Sequence, residues 1–216
     1  QGISCARSLN EAGHHVAMVT TKHDYACRST ALSKCFWSER HIDLRIIEDI
    51  LSNYHFDVLL PMSDNITFLL AENKEYLLSK YGVKCAVPDL KTLEIAGDKS
   101  NLMTFCLVNG FPCPHTINLG NGLPDDFVWP ALIKPERSVG ARGIVKVNSI
   151  DEVKAKYPLI KAKFGECQLQ EFIDNPGPYF NVMLYRSKGG EILGHAILKI
   201  IRFYPINGGS SSMCQT

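Results

Sequence analysis

The sequence carries 8 cysteines in 216 residues yet contains no C-x-x-C pair. Structural zinc sites and redox dithiols need two ligands close together in the chain, so neither is expected. The scattered thiols Cys5, Cys27, Cys35, Cys85, Cys106, Cys113, Cys167 and Cys214 are expected to stay reduced and to pack as small hydrophobes, which implies a cytoplasmic setting. The 7 histidines give no H-E-x-x-H, so no metal site is expected from them. Charge of one sign is also lacking: Lys+Arg 23 against Asp+Glu 22 leaves +1, which offers nothing to nucleic acid or to a membrane surface. No apolar run approaches the ~20 residues of a membrane span. The opening segment, 1–10, places an arginine in a mixed polar stretch and does not read as a signal peptide. A hydrophobic share of 45% excludes general disorder. There is no internal repeat and no low-complexity tract.

What the sequence does contain is alternation. Ile3, Ala6, Leu9 and Ala12 recur at helical spacing and stop at Gly13, and an apolar strand follows over 15–20. Leu44, Ile47, Ile50 and Leu51 mark a second helix before a strand over 57–61. A third helix over 64–79 precedes a strand over 84–87. Apolar strands between amphipathic helices predict βαβ units around a parallel sheet, an α/β, Rossmann-like fold. Such a unit ordinarily begins with a strand, and this chain opens on a helix, so a strand upstream of it is expected. Past Pro88 the pattern changes. Asp98 can cap a helix carrying Leu102, Phe105, Cys106 and Val108, and the prolines of Phe111-Pro112-Cys113-Pro114 impose an extended segment. Strands dominate from Trp129 onward, with a helix over 149–164 and a hairpin turn at Lys188-Gly189-Gly190. The expected division is 1–95 as the Rossmann-like domain, 96–127 as a linker helix and extended segment, and 128–216 as an α+β domain.

The most informative stretch is Ala131-Leu132-Ile133-Lys134-Pro135-Glu136-Arg137-Ser138-Val139-Gly140-Ala141-Arg142-Gly143. A lysine ends an apolar strand, so its stem is packed and its ammonium faces the loop that follows. Glycines let backbone N–H groups approach a ligand, and such donors beside a fixed cation make a phosphate cradle. Taken alone, the same residues also describe an ordinary hairpin with a surface lysine and arginine.

Other segments in fixed order supply the context. Asp98-Lys99, Gly110-Phe111-Pro112-Cys113-Pro114, the stretch 130–143, Gln170-Glu171-Phe172-Ile173, and Lys199 through Arg202-Phe203-Tyr204-Pro205 to Gly208-Gly209-Ser210 together resemble the ATP-grasp superfamily. The resemblance is to the branch related to the large subunit of carbamoyl phosphate synthetase, and residues 2–20 look like the domain that precedes the ATP-grasp fold there. It implies that Lys99 and Lys134 reach the α- and β-phosphates of ATP. It implies too that the loop with Ser138, Gly140, Arg142 and Gly143 closes over the phosphates. Gln170, Glu171, Phe172 and Ile173 would form the hinge that holds adenine. Lys199 and Arg202 would act near the γ-phosphate, with Gly208, Gly209 and Ser210 near the acid substrate.

The sequence departs from that pattern in two places. Tyr179 or Pro178 stands where a ribose-binding Glu is expected, and no Glu-x-Asn for magnesium follows Lys134. The metal ligands are therefore expected outside this chain, and the chain alone is expected to be inactive. The whole protein is expected to be an ATP- and Mg-dependent ligase joining a small-molecule carboxylate to an amine, with homo-oligomerisation left open. A non-catalytic nucleotide-binding module is the alternative. A nicotinamide-dependent dehydrogenase would need Gly-x-Gly-x-x-Gly after the first strand, where only Gly2 is present.

Overall fold

The computed structural model describes residues 2–21, 24–138, 141–175, 177–204, 206 and 210–216. The chain divides into two compact units, Gln1–Glu94 and Ile95–Thr216.

The first unit alternates helix and strand: α1 (Gly2–Glu11), β1 (Ala17–Thr21), β2 (Lys34–Ser38), α2 (Leu44–Asn53), β3 (Val58–Leu59), α3 (Asp64–Tyr81) and β4 (Lys84–Cys85). β1 pairs in parallel with β2, and β3 in parallel with β4, as two separate two-stranded sheets. Asp43 starts α2 by accepting the Ile46 N–H at 3.0 Å. Gly82 ends α3 at φ 69°, a left-handed conformation that costs glycine little. Ile47 and Leu51 of α2, Leu70 and Leu77 of α3, and Val83 form the core. Glu48 ties the two helices at the surface by accepting from Lys80 Nζ at 2.9 Å and from the Tyr81 hydroxyl at 3.2 Å. The strand β2 was not apparent from the sequence, because Lys-Cys-Phe-Trp-Ser has no clean alternation and mostly half-buried or exposed side chains. A correction concerns the thiols. Cys27, in a 3-10 turn over Tyr25–Arg28, is bonded to Cys35 of β2 with their Cα atoms 5.6 Å apart. The turn doubles the chain back over eight residues, a proximity that sequence spacing alone does not reveal.

A helix α4 (Leu90–Gly97) leads into the second unit, which contains α5 (Lys99–Val108), β5 (Thr116–Asn118), β6 (Ala131–Pro135), β7 (Val145–Val147), α6 (Ile150–Phe164) and β8 (Cys167–Glu171). The four strands form an antiparallel sheet in the order β5-β8-β6-β7. Residues 96–127 thus lie inside this unit and supply one of its strands. A second antiparallel sheet follows, β9 (Tyr179–Arg186), β10 (Ile192–Tyr204) and β11 (Ser210–Gln215), in the order β11-β10-β9.

Strand alternation divides the four-stranded sheet into two faces of different chemistry. Ile117, Leu169, Ile133 and Val145 stand opposite one another across the register and point to one face. There they join Val153 and Ile160 of α6, Leu119 and Phe127 in a core where Ile133, Val153 and Leu169 are fully enclosed. The other face carries Thr116, Gln170, Leu132 and Lys146 in one row and Asn118, Gln168 and Lys134 in the next. Burying the apolar face fixes the register, and the register in turn fixes the polar row.

Ile133→Ala should lower stability by about 2–5 kcal/mol, as large-to-small changes do in closed cores. Leu159→Ala, at a side chain 73% exposed on α6, should change stability by no more than about 0.5 kcal/mol. Urea unfolding of both variants checks the pair, and equal losses would contradict the assignment of faces.

Candidate functional site

The polar face of the four-stranded sheet holds a pair of lysines. Lys134 is the fourth residue of β6, and the strand holds its stem between buried Ile133 and Pro135. Its Nζ donates to Gln170 Oε1 at 2.5 Å, and Gln170 Nε2 donates onward to Thr116 Oγ1 at 3.0 Å. Lys99 comes from the first residue of α5. Asp98 caps that helix, accepting from Ser100 and Asn101 N–H at 2.9 and 3.0 Å. Lys99 Nζ donates to the carbonyls of Glu136 and Ser138, at 3.2 and 3.1 Å. The lysine that opens the helix therefore grips the backbone just beyond the lysine that ends the strand.

Neither ammonium is paired with a carboxylate by these bonds; both rest on neutral oxygens. Burial, and to a lesser extent the Lys99 charge, hold the Lys134 amine below its ordinary pKa. Two positive side chains at one half-buried strand end are costly by themselves and favour an anion between them. Behind them, Glu136 accepts from Ser100 Oγ at 2.9 Å and from Asn118 Nδ2, which ties α5 to β5 at the root of the loop. Glu136, Asn118 and Ser100 were not singled out from the sequence. Glu136 lies two residues past Lys134, but its partners are 36 and 18 residues away and have no local signature. Gln168 was also missed, although the alternation Gln168-Leu169-Gln170 puts it in the same row as Lys134. Its Oε1 is enclosed and accepts no hydrogen bond among the described residues, an orphaned acceptor on the site face.

The other expected residues divide clearly. Gly143 adopts φ 74°, and a Cβ there would meet Phe164 and Pro135 at 2.8 Å, so the exit of the loop admits only glycine. Arg142 is exposed at the loop surface. Gly140 lies outside the described residues. In the expected hinge, the Glu171 N–H donates to the His115 carbonyl at 2.8 Å and the Phe172 N–H to the Pro130 carbonyl at 3.0 Å. The Glu171 carboxylate accepts from the His115 N–H at 3.0 Å, and Lys146 Nζ stands 3.7 Å over the Phe172 ring. Ile173 is exposed.

Lys199 and Arg202 stand on β10 in the other sheet and are both exposed. Arg202 Nε donates to Ser212 Oγ at 3.3 Å. No hydrogen bond or ion pair among the described residues joins either of them to Lys99 or Lys134. Ser210 opens β11 opposite Tyr204, and Gly208 and Gly209 lie outside the described residues. Tyr179, at the position expected to hold ribose, opens β9 and packs edge-on against Phe203 with ring centroids 5.4 Å apart. Among the described residues no group of three His, Cys, Asp or Glu is placed to hold a metal ion, and no helix is long and apolar enough to cross a membrane. A cleft of 440 Å³ lies in the first unit, between β2 and α2, and is lined by none of the expected site residues. Arg40 and Arg45 line it, but so does Asp49, and Arg40 lies 3.9 Å from the Asp43 carboxylate, so we place the site at the lysines.

No protein-family profile matches the chain, and no curated protein sequence is significantly similar to it. Solved structures are similar in fold. Biotin carboxylase from Campylobacter jejuni, in a β,γ-ATP complex, superposes with a TM-score of 0.72 at 17% identity over 92% of this chain and 48% of that one. N5-carboxyaminoimidazole synthetase from Staphylococcus aureus, complexed with ADP, gives a TM-score of 0.72 at 14% identity over 95% and 53%. L-amino acid ligase from Bacillus licheniformis gives 0.66 at 16% over 96% and 48%. These are ATP-grasp enzymes, and the chain shares their fold while spanning about half of their length.

Because the Lys99 charge opposes protonation of Lys134, its removal should favour the ammonium. In Lys99→Met the Lys134 amine should titrate at a higher pH than in the wild type. It should still lie below 10.5, since burial is the larger cause. Titration of the Lys134 side chain by 13C NMR measures this, and an unchanged midpoint would mean that the two charges do not face one another.

Proposed function

We propose that the second unit binds ATP on the polar face of its four-stranded sheet, as part of an ATP-dependent ligase. The observation that supports this best is the Lys99–Lys134 pair, two ammonium groups whose hydrogen bonds among the described residues go to neutral oxygens, at the mouth of a glycine-containing loop. A polyphosphate exchanges those carbonyl and amide contacts for charge-assisted ones, which are about twice as strong. The donor set fits the group. Lys99 and Lys134 would take the α- and β-phosphates, and the loop with Ser138, Gly140, Arg142 and Gly143 would cover them. The orphaned Gln168 Oε1 offers an acceptor to whatever donor or water enters beside them. At the hinge, the N–H groups of Glu171 and Phe172 are already engaged. Contact with the base therefore falls to the Ile173 N–H and the hinge carbonyls, with Phe172, backed by Lys146, as an apolar wall.

The reaction proposed for the whole protein is activation of a carboxylate, or bicarbonate, as an acyl phosphate. A carboxylate is a poor electrophile until phosphorylated, and phosphoryl transfer depends on positioning and positive charge more than on covalent chemistry. The carboxylate oxygen bonds to the γ-phosphorus and ADP departs. The amine then attacks the acyl carbon and phosphate leaves. Magnesium would accompany the nucleotide and offset its charge, with its ligands outside this chain. Lys199 and Arg202 are proposed to serve the γ-phosphate, and Gly208, Gly209 and Ser210 the acid. In this reading the first unit is a Rossmann-like domain preceding the ATP-grasp fold, the limit between the domains is near 95, and the enzyme is cytoplasmic and of the carbamoyl phosphate synthetase-like branch. The position of Tyr179 supports a second reading, a nucleotide-binding module without catalysis, because a phenol packed on Phe203 does not replace a carboxylate for ribose.

Two measurements test the proposal. Lys134→Met keeps most of the packed stem and removes the charge. Losing one charge-assisted contact, worth about 1.5–3 kcal/mol, should weaken ATP binding by roughly 10- to 150-fold at 1.4 kcal/mol per decade. ATP titration of variant and wild type at matched thermal stability reads this, and equal affinities would remove the phosphate cradle. The 216-residue chain by itself should bind nucleotide without releasing ADP in response to any carboxylate. Substrate-dependent ADP release by the purified chain would show that the metal site lies within it.

A further inference from the structure

Gln170 has two neighbours directly across the ladder, Thr116 on β5 and Leu132 on β6. The Leu132 side chain offers it no polar atom. Lys134 stands one step further along the same face, opposite Gln168, and meets Gln170 diagonally. The Gln170 side chain is buried, at 7% exposure, so its amide must find partners within the protein. It finds one at each end: Oε1 accepts from Lys134 Nζ at 2.5 Å, and Nε2 donates to Thr116 Oγ1 at 3.0 Å.

The two ends of a glutamine amide have nearly the same size, so packing alone does not decide which of them faces the lysine. Hydrogen bonding decides it. An ammonium only donates, and the oxygen is the end of the amide that accepts. A hydroxyl can donate or accept, and by itself tolerates either end. Here that freedom is removed, because Thr116 Oγ1 donates its proton to the Pro114 carbonyl at 2.8 Å and keeps only lone pairs for Gln170. The donors therefore run in one direction, from Lys134 through Gln170 and Thr116 to Pro114. Beside them, the His115 N–H donates to the Glu171 carboxylate at 3.0 Å and the Glu171 N–H to the His115 carbonyl at 2.8 Å. These ties hold β5 against β8 without help from the Thr116 hydroxyl.

We propose that Thr116 is a positioning residue: its hydroxyl sets the Gln170 amide with the oxygen toward Lys134 and so fixes the ammonium at the strand end. No hydrogen bond among the described residues joins Thr116 to the lysine, so it acts through Gln170. Without the hydroxyl the amide is free to rotate, and its N–H groups then face a cation that has no lone pair to receive them. The form of Lys134 that accepts such a bond is the neutral amine. The consequence for phosphate binding rests on the nucleotide reading; the consequence for the lysine itself does not.

The test compares Thr116→Val, which keeps the shape of the side chain and suits a strand, with Thr116→Ser, which keeps the hydroxyl. In 13C NMR titration of the ligand-free chain, the Lys134 midpoint should fall by about one unit in Thr116→Val. Thr116→Ser should restore it. The charged groups on the elements around Lys134 are Lys99 on α5, Glu136 past β6, Lys146 on β7 and Glu171 on β8, and none of them bonds to Thr116 Oγ1. In a Gln170→Met background Thr116→Val should have no further effect, because residues acting in series do not add. An unchanged midpoint in Thr116→Val, no rescue by serine, or an undiminished effect beside Gln170→Met overturns the proposal. ATP titration of the same chains should show roughly five-fold weaker binding for Thr116→Val, the loss of about one ordinary hydrogen bond. A shifted midpoint with unaltered ATP affinity, or with no ATP binding by the wild type, upholds the role of Thr116 and overturns the nucleotide reading instead.

Discussion

The site depends on two ammonium groups that the fold forces to share one strand end. Lys134 is carried there by β6, whose flanking residues Ile133 and Pro135 are fully buried, so its stem cannot move without opening the core. Lys99 is carried there by a helix start that Asp98 fixes through two backbone hydrogen bonds. The Asp98 carboxylate also lies 3.9 Å from Arg137 Nε, a long pair whose arginine is exposed and which adds little. The protein thus keeps an electrostatic deficit in a place where it could easily have put a carboxylate. Glu136 shows that the choice is local: its backbone carbonyl meets Lys99, while its carboxylate is turned toward Ser100 and Asn118. A carboxylate facing the ammonium groups would satisfy them and shut out an anionic ligand.

The four-stranded sheet serves stability on one side and binding on the other, and period-two alternation separates the two. A register slip of one residue in β8 would exchange Leu169 for Gln168 in the core and remove Gln170 from Lys134. The apolar contacts that stabilise the unit therefore also specify which polar groups face the ligand. This explains how enclosed polar atoms such as Gln168 Oε1 persist: the register that would relieve them exposes Ile133 and Leu169 instead.

The features legible in the sequence were those with local causes. Asp98 as a cap, the strand ending in Lys134, the helix opened by Ser149, and the turn at Lys188-Gly189-Gly190 all follow from a few neighbouring residues, and the structure contains each of them. Features made by long-range approach were not legible. Asn118 meets Glu136 only because β5 pairs with β8 and β8 with β6. Cys27 meets Cys35 only because a 3-10 turn reverses the chain. The strand β11 was missed for a related reason: Ser-Ser-Ser-Met-Cys-Gln has little intrinsic strand character, and its ladder partner β10 supplies the order.

The same distinction separates the two groups of expected site residues. Lys99 and Lys134 take their positions from buried neighbours, a helix cap and side-chain hydrogen bonds, so their geometry is built in before any ligand arrives. Lys199 and Arg202 take theirs from a sheet in which Ile200 is the one buried residue among those described, while Phe180, Val182, Leu184 and Ile197 stand about half exposed or more. Backbone pairing orders that sheet, while most of its described side chains stand exposed. The register shifts between Ile200 and Phe203 also interrupt the alternation at Arg202. Preorganisation is thus greater at the lysine pair proposed for the α- and β-phosphates than at the residues proposed for the γ-phosphate. Positioning a phosphoryl group for transfer requires both. In the proposed reaction, nucleotide binding is accordingly the step that Lys99 and Lys134 would serve.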